Sequence, residues 1–332
     1  MSNGRPVRIS GTLFHIPRKD RSQFKDYFAA LLGVNASRSS SILVAPPSVL
    51  RDAIKKVERR FDAISNQDVK NRCWQIVNKL FSYTKFYEGK GWRLMADKHL
   101  AGESLPSWGV AQFIKMLGVR YCPYCNSDPV YAVDVRRPRS EGASNKPRVN
   151  GKIAKSALDH YYSQKDYPYL AISLGNLVPS CTRCNTSMKG DFEFTGRRYA
   201  HPYEDKVHES FRFRCDEQEN GAFVITSAPA QTAEERRARR LVEFFQVDKV
   251  YTALYQTEIA DLITRRKKFG RHYVREFLGK ILIGHSQDEI NRLVYGYSFN
   301  PGEINKERLG KLMIDVSGID SLRREVQGVH TD

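Results

Sequence analysis

The sequence predicts an α+β fold in which a cysteine-bearing core is flanked by mainly helical N- and C-terminal regions. Three observations predict it. Four of the six cysteines form two Cys-x-x-Cys pairs, Cys122/Cys125 and Cys181/Cys184. Apolar residues recur at helical spacing before the first pair and again well after the second. Between these lies an alternating run, Phe211 to Thr226, centred on Asn220-Gly221, which reads as a β-hairpin. The chain therefore divides into a helical region over 1–107, a central module over 108–205, and a hairpin plus helical region over 206–332.

In chain order, Phe24, Tyr27, Phe28, Leu31 and Leu32 fall on one helical face. Val49, Ile54, Val57 and Phe61 predict a second helix after Pro46-Pro47, because proline is tolerated in a first turn. Val69 to Tyr87 is a further apolar-periodic run, and Trp108 to Leu117 predicts a short helix leading into the first cysteine pair. Arg136 to Lys155 is rich in Arg, Lys, Ser, Gly, Asn and Pro and reads as a basic loop. Beyond the hairpin, Thr232 and Glu235 have the form of a capping box. Leu241, Phe244, Phe245, Tyr251, Leu254, Tyr255, Ile259, Leu262 and Ile263 then trace one long helix. Ser286 and Glu289 open another capped helix, and Ile304 to Ile314 predicts a last one.

Composition bounds the function. The 332 residues are 41% hydrophobic and 11% aromatic, enough for a packed core, which excludes wholesale disorder. Subtracting 37 Asp+Glu from 54 Lys+Arg leaves a net charge of +17. An excess of that size points to a polyanion, since each neutralised phosphate releases counterions. A basic surface serves anionic lipid or solubility equally well. No apolar stretch approaches the ~20 residues of a membrane helix. The first 30 residues mix charges such as Arg5, Arg8, Arg18 and Lys25 among apolar positions, unlike a secretory signal. The expectation is a cytoplasmic protein with no membrane partner.

In a reducing cytoplasm paired cysteines more often hold metal than form disulfides. A Cys-x-x-Cys turn places two thiolates about 2.3 Å from a zinc ion, and two turns complete a tetrahedron. Cys122, Cys125, Cys181 and Cys184 are therefore candidate ligands of a structural Zn²⁺. Cys73 and Cys215 read as packing residues.

The order of residues between and after the pairs carries the chemistry. Ala157-Leu-Asp159-His160 lies between them, and Asn176-Leu-Val-Pro-Ser180 runs into Cys181-Thr-Arg-Cys184-Asn185 and then Lys189. This arrangement resembles the HNH endonucleases, the zinc-stabilised ββα-metal nucleases, over roughly 120–203. The family pattern is a strand ending in Asp-His, a loop, an Asn-Leu step, and a helix opening on the second Cys-x-x-Cys followed by Asn or His. Tyr167-Pro-Tyr-Leu-Ala, together with Asn176-Leu and the Cys-x-x-Cys-Asn step, resembles bacterial HNH proteins of anti-phage defence and mobile elements. The resemblance implies a ββα core, phosphodiester hydrolysis of nucleic acid (DNA favoured), and an ATPase or other defence-system partner. The chain has no Walker loop of its own.

Elementary chemistry agrees with that assignment of roles. Histidine titrates near neutrality, so His160 is the candidate general base. Asp159 and the Asn185 side-chain oxygen suit a hard divalent cation, Mg²⁺ or a relative, which relieves charge on the leaving oxygen. Adjacent strand residues face opposite sides, so Asp159 and His160 share a site only where the strand ends or twists. The resemblance implies that Asn176 braces the loop and orients rather than catalyses. Lys189, four residues beyond Asn185, is a candidate phosphate contact, with a solvated surface lysine as the plain alternative. His201 reads as structural. Tyr161 and Tyr162 read as core, or as stacking partners for a base. Two alternatives stand beside it: a zinc-dependent nucleic-acid binder that does not cut, which explains the cysteine pairs and the charge but leaves Asp159-His160 and Asn185 as accidents, and a nuclease acting on RNA.

Overall fold

The computed structural model describes residues 7–9, 12–15, 42, 45–87, 95–96, 109–135, 152–194, 198–205, 207–270 and 272–317. The helix expected through Phe24 to Leu32, and positions 136–151 of the basic stretch, lie outside them. The fold is mixed α+β, with small antiparallel sheets among many helices. Among the described residues, no helix is long and apolar enough to cross a membrane. Backbone proximity groups the described residues into two compact units, one within 1–119 and 130–196, the other within 120–129 and 197–332.

The first unit begins with strands β1 (Val7–Ile9) and β2 (Thr12–His15), joined by β3 (Met95–Ala96) in one antiparallel sheet. Helix Pro47–Asp62 starts on a proline at its first position, where the missing N–H would have had no intrahelical partner. It buries Ile54, Val57 and Phe61 of the expected face, but Leu50 is buried in place of Val49, which is 46% exposed. The Val69 to Tyr87 run divides into helices Gln67–Leu80 and Tyr83–Tyr87. Trp74 stacks on Phe61 at 4.3 Å and on Tyr169 at 6.3 Å. Helix Val110–Leu117 buries Val110, Phe113, Ile114 and Leu117 and ends at Gly118 in the left-handed region.

Strand β4 (Ala132–Val135) pairs antiparallel with β5 (Lys152–Lys155). This corrects the reading of Arg136 to Lys155 as loop throughout. A Lys-Ile-Ala-Lys run has the composition of a loop end, but a strand in a two-stranded sheet tolerates lysines on its open edge. Strands β6 (Ala157–His160) and β7 (Leu177–Ser180) form the hairpin that carries the candidate site, with Asp159 opposite Val178 and His160 opposite Leu177. The 16 intervening residues, 161–176, fold into two short helical turns, Pro168–Leu170 and Leu174–Asn176. The second turn sits against the chain just before helix Pro47–Asp62. A Cβ on Gly175 would lie 2.2 Å from the Ala45 carbonyl oxygen, so only glycine allows that approach.

In the second unit, the Cys122–Cys125 turn is anchored by Asn126, which takes a positive φ of 50°. Its side chain donates to Ile304 O at 2.7 Å and accepts from Lys311 N at 3.0 Å. Tyr124 stacks on Phe245 at 4.5 Å. The expected hairpin is β8 (Phe213–Glu217) with β9 (Phe223–Ser227), and Gly221 supplies the positive φ of its turn. Thr232 and Glu235 form a complete capping box, as do Ser286 and Glu289.

The single helix expected from Leu241 to Ile263 is instead three, Ala233–Phe244, Val247–Leu254 and Gln256–Lys268. Gln246 takes a left-handed conformation and Tyr255 leaves helical geometry, so the chain bends twice. The bends bury Phe245, Val247, Tyr251, Tyr255, Ile259 and Leu262 while leaving Leu254 66% exposed. The last expected helix, Ile304 to Ile314, is likewise divided. A 3₁₀ turn, Pro301–Lys306, gives way at Leu309, with φ of 58°, to helix Gly310–Ser317. Lys311 and Asp315 on that helix form a buried ion pair at 2.9 Å, and Asp315 also accepts from Phe213 N at 2.8 Å.

Candidate functional site

His160 ends β6, and past it the strand rule no longer separates it from Asp159. Both line an open cleft of about 590 Å³ with Asn78, Ser163, Asn185 and Lys189. After β7 the chain enters a helix, Arg183–Lys189, wound with π-type spacing, so that Gly190 N donates to Asn185 O five residues back. Single wide turns of this kind recur at functional sites. The wider turn keeps Asn185 and Lys189 on one face, and both open onto the cleft.

The His160 ring is held on two sides. Its Nε2 lies 2.9 Å from the Ala171 carbonyl oxygen. A carbonyl only accepts, so in the neutral ring Nε2 carries the proton and Nδ1 keeps its lone pair. Among the described residues, Nδ1 has no hydrogen-bond partner. Tyr83 meets the ring edge-on, with centroids 4.6 Å apart and planes at 71°. Burial pushes the His160 pKa below the usual 6.5, against the Ala171 carbonyl and Asp159, which raise it, and with Lys189, which lowers it. The ring is therefore neutral at pH 7, the form a base requires. Burial, with Tyr87 nearby, drives the Tyr83 hydroxyl far above its ordinary value, so it stays protonated.

Asn176 stands behind the cleft, fully buried. Its Oδ1 accepts from Tyr162 N at 2.7 Å, and its Nδ2 donates to Tyr162 O and Leu170 O, both at 3.1 Å. One amide thus ties the start of the 161–176 loop to the residue before Ala171, whose carbonyl holds His160. Lys189 does not project into solvent. Its Nζ lies 2.8 Å from Asp159 Oδ1 and donates to His160 O at 2.8 Å, with both side chains in the pair under 5% exposed. Among the described residues, the Asn185 side chain makes no hydrogen bond.

The four paired cysteines are brought together. All are buried and reduced, and their sulfurs lie within 4.8 Å of one another. A tetrahedral zinc with bonds of about 2.3 Å needs sulfurs about 3.8 Å apart, so this cluster fits such an ion. Two donors already point at the sulfurs, Ser127 Oγ at 3.3 Å from Cys125 Sγ and Cys184 N at 3.4 Å from Cys181 Sγ. Such dipoles favour thiolates and orient them. Four protein thiolates fill a tetrahedral shell and leave no position for water, so an ion held here is structural.

Tyr161 and Tyr162 are buried and meet edge-on at 5.2 Å, so their rings belong to the core. His201 is buried too, and its Nδ1 accepts from Tyr203 N at 3.2 Å within the turn after it. Two residues at the site carry no signal in the sequence, Asn78 in the cleft lining and Tyr83 against the His160 ring. Each looks like an ordinary helical position, and only the fold brings their two helices to the site.

No family model, curated protein or solved structure matches this chain.

Proposed function

We propose that the chain is an HNH-type endonuclease that hydrolyses phosphodiester bonds of nucleic acid with the help of a divalent cation, DNA being the favoured substrate. The observation that carries this reading is the placement of His160. Its ring is held at Nε2 by the Ala171 carbonyl and lines the same cleft as Asp159 and Asn185, and with the proton on Nε2 the ring has Nδ1 to act as base. In the reaction, Nδ1 removes a proton from water, the hydroxide oxygen bonds to phosphorus, and the opposite P–O bond breaks. Asp159 and Asn185 are the oxygen donors that would hold Mg²⁺ or Mn²⁺, which supplies Lewis-acid relief of the charge on the leaving oxygen. Asn176 and Tyr83 hold the base in place, and the four cysteines hold a structural zinc. The net charge of +17 supports a polyanionic substrate.

The test is incubation of the purified chain with supercoiled plasmid, single-stranded DNA and tRNA, in Mg²⁺ or EDTA. His160→Ala should lower cleavage by ~10²–10⁴-fold and leave binding nearly unchanged. Asp159→Ala and Asn185→Ala should raise the cation requirement or abolish turnover. Cleavage of tRNA alone would assign the site to RNA. Binding without cleavage in either Mg²⁺ or Mn²⁺ would overturn the nuclease reading in favour of a zinc-dependent binder.

A further inference from the structure

Among the described residues, Lys189 is the one cationic side chain enclosed within the candidate site. Its three N–H groups have three neighbours: Asp159 Oδ1 at 2.8 Å, His160 O at 2.8 Å, and the Phe194 ring with its centroid at 5.4 Å. A carboxylate, a carbonyl and an aromatic face are the surroundings a cation site offers. The Lys189 and Asp159 side chains are 4% and 3% exposed, so water screens their attraction little. A lysine meant to wait for a phosphate in solvent would keep its ammonium in water.

We propose that Lys189 is a resident counter-cation for Asp159, which weakens divalent-cation binding until a nucleic-acid phosphate enters the cleft. The inference rests on the reading of the cleft as a cation-assisted phosphodiester-cleaving site. With the ammonium in place, a divalent ion drawn to Asp159 meets a like charge within a few ångströms and little screening. A phosphodiester anion in the cleft reverses that balance by offering negative charge to both cations. Cation and nucleic acid then bind cooperatively, and each raises the affinity of the other by the same factor. Without a substrate the site holds its cation poorly. Asn185 fits the same scheme, because its carboxamide lines the cleft without a hydrogen-bond partner among the described residues.

The test uses the zinc-loaded full chain and counts bound Mn²⁺ by loss of the free-ion paramagnetic signal, without nucleic acid. Lys189→Met should bind Mn²⁺ at least tenfold more tightly than wild type, and Lys189→Arg, which keeps the charge, should bind like wild type. Adding Asp159→Asn to Lys189→Met should abolish the gain. A phosphorothioate oligonucleotide that resists cleavage should tighten Mn²⁺ binding to wild type and have little effect on Lys189→Met. If loss of the Lys189 ammonium beside buried Asp159 destabilises Lys189→Met, Mn²⁺ should raise its melting temperature more than that of wild type. Equal Mn²⁺ affinity in wild type and Lys189→Met would overturn the proposal. So would wild-type affinity that is the same with and without the oligonucleotide. Tighter binding by Lys189→Met in a chain that cuts nothing would sink the nuclease reading and leave the counter-cation in place. Cleavage by a wild type whose Lys189→Met form gains no affinity would do the reverse.

Discussion

Replacing Asn176 with alanine removes the amide that ties the 161–176 loop to itself. Three buried hydrogen bonds go, at 2.7, 3.1 and 3.1 Å, those of the amide with Tyr162 N, Tyr162 O and Leu170 O, while Leu170 O keeps Ser173 N at 3.0 Å. A buried polar group left unsatisfied costs about 1–3 kcal/mol, and water entering the space of the lost amide recovers part of it. A net loss of about 2–4 kcal/mol follows, which in a chain of this size lowers the melting temperature by roughly 3–6 °C. Activity should fall as well, because the Ala171 carbonyl that fixes His160 comes directly after Leu170. A base displaced by about 1 Å can cost ~10²-fold in rate. Asn176→Asp sharpens the test. It keeps the shape but presents a carboxylate oxygen to the two carbonyls that the amide served as donor, so it should not rescue either property. Differential scanning fluorimetry and a plasmid-cleavage time course read both. Wild-type melting and cutting in Asn176→Ala, or full rescue by Asn176→Asp, would refute the argument.

Elemental analysis should find about one zinc per chain, and Cys181→Ser should lose the metal and melt earlier, because a structural ion's binding energy is also folding energy. Gly175→Ala should destabilise the first unit by several kcal/mol, about the upper end for overpacking, since the new Cβ meets the rigid Ala45 carbonyl at 2.2 Å; a wild-type melting curve would contradict this. Burial, aided by Lys311, pushes His208 from 6.5 down to about 4. Its folded pKa is depressed, so the stability it contributes is complete above pH 6.5 and is lost as the pH falls toward 4, where the unfolded chain takes the proton first. Denaturant titrations over that window should show a shallower loss for His208→Gln than for wild type, and equal slopes would assign the acid sensitivity elsewhere.

Local elements were legible in the sequence wherever a single physical rule governed them. Pro47, the Thr232 and Ser286 boxes, and the Asn220-Gly221 turn each dictate their own geometry, and each stands where its pattern placed it. Periodicity alone proved weaker. It joined Leu241 to Ile263 because an apolar stripe continues across a bend as readily as along a straight axis, and nothing at Gln246 announces a left-handed residue. The candidate site was legible in its chemistry but not in its surroundings. Cysteine pairing, Asp159-His160 and Asn185 stand out because few side chains suit the roles proposed for them. Tyr83, Asn78 and the Ala45 seat for Gly175 are ordinary residues made relevant by tertiary contact. The inward turn of Lys189 was equally invisible, since its helical face is shared by the cleft and by the interior behind it.

The seating of the hairpin on the preceding helices has a consequence for inheritance. A segment excised from 108 to 205 would carry every residue that a motif search would select. It would leave behind the Tyr83 ring that flanks His160, the Asn78 wall, and the Ala45 carbonyl against which the Asn176 turn rests. Recombination that moved only that segment into a new gene would deliver the reactive groups without the rigidity that aligns them. The portable cassette therefore opens no later than Ala45, about sixty residues before the boundary that the motif marks.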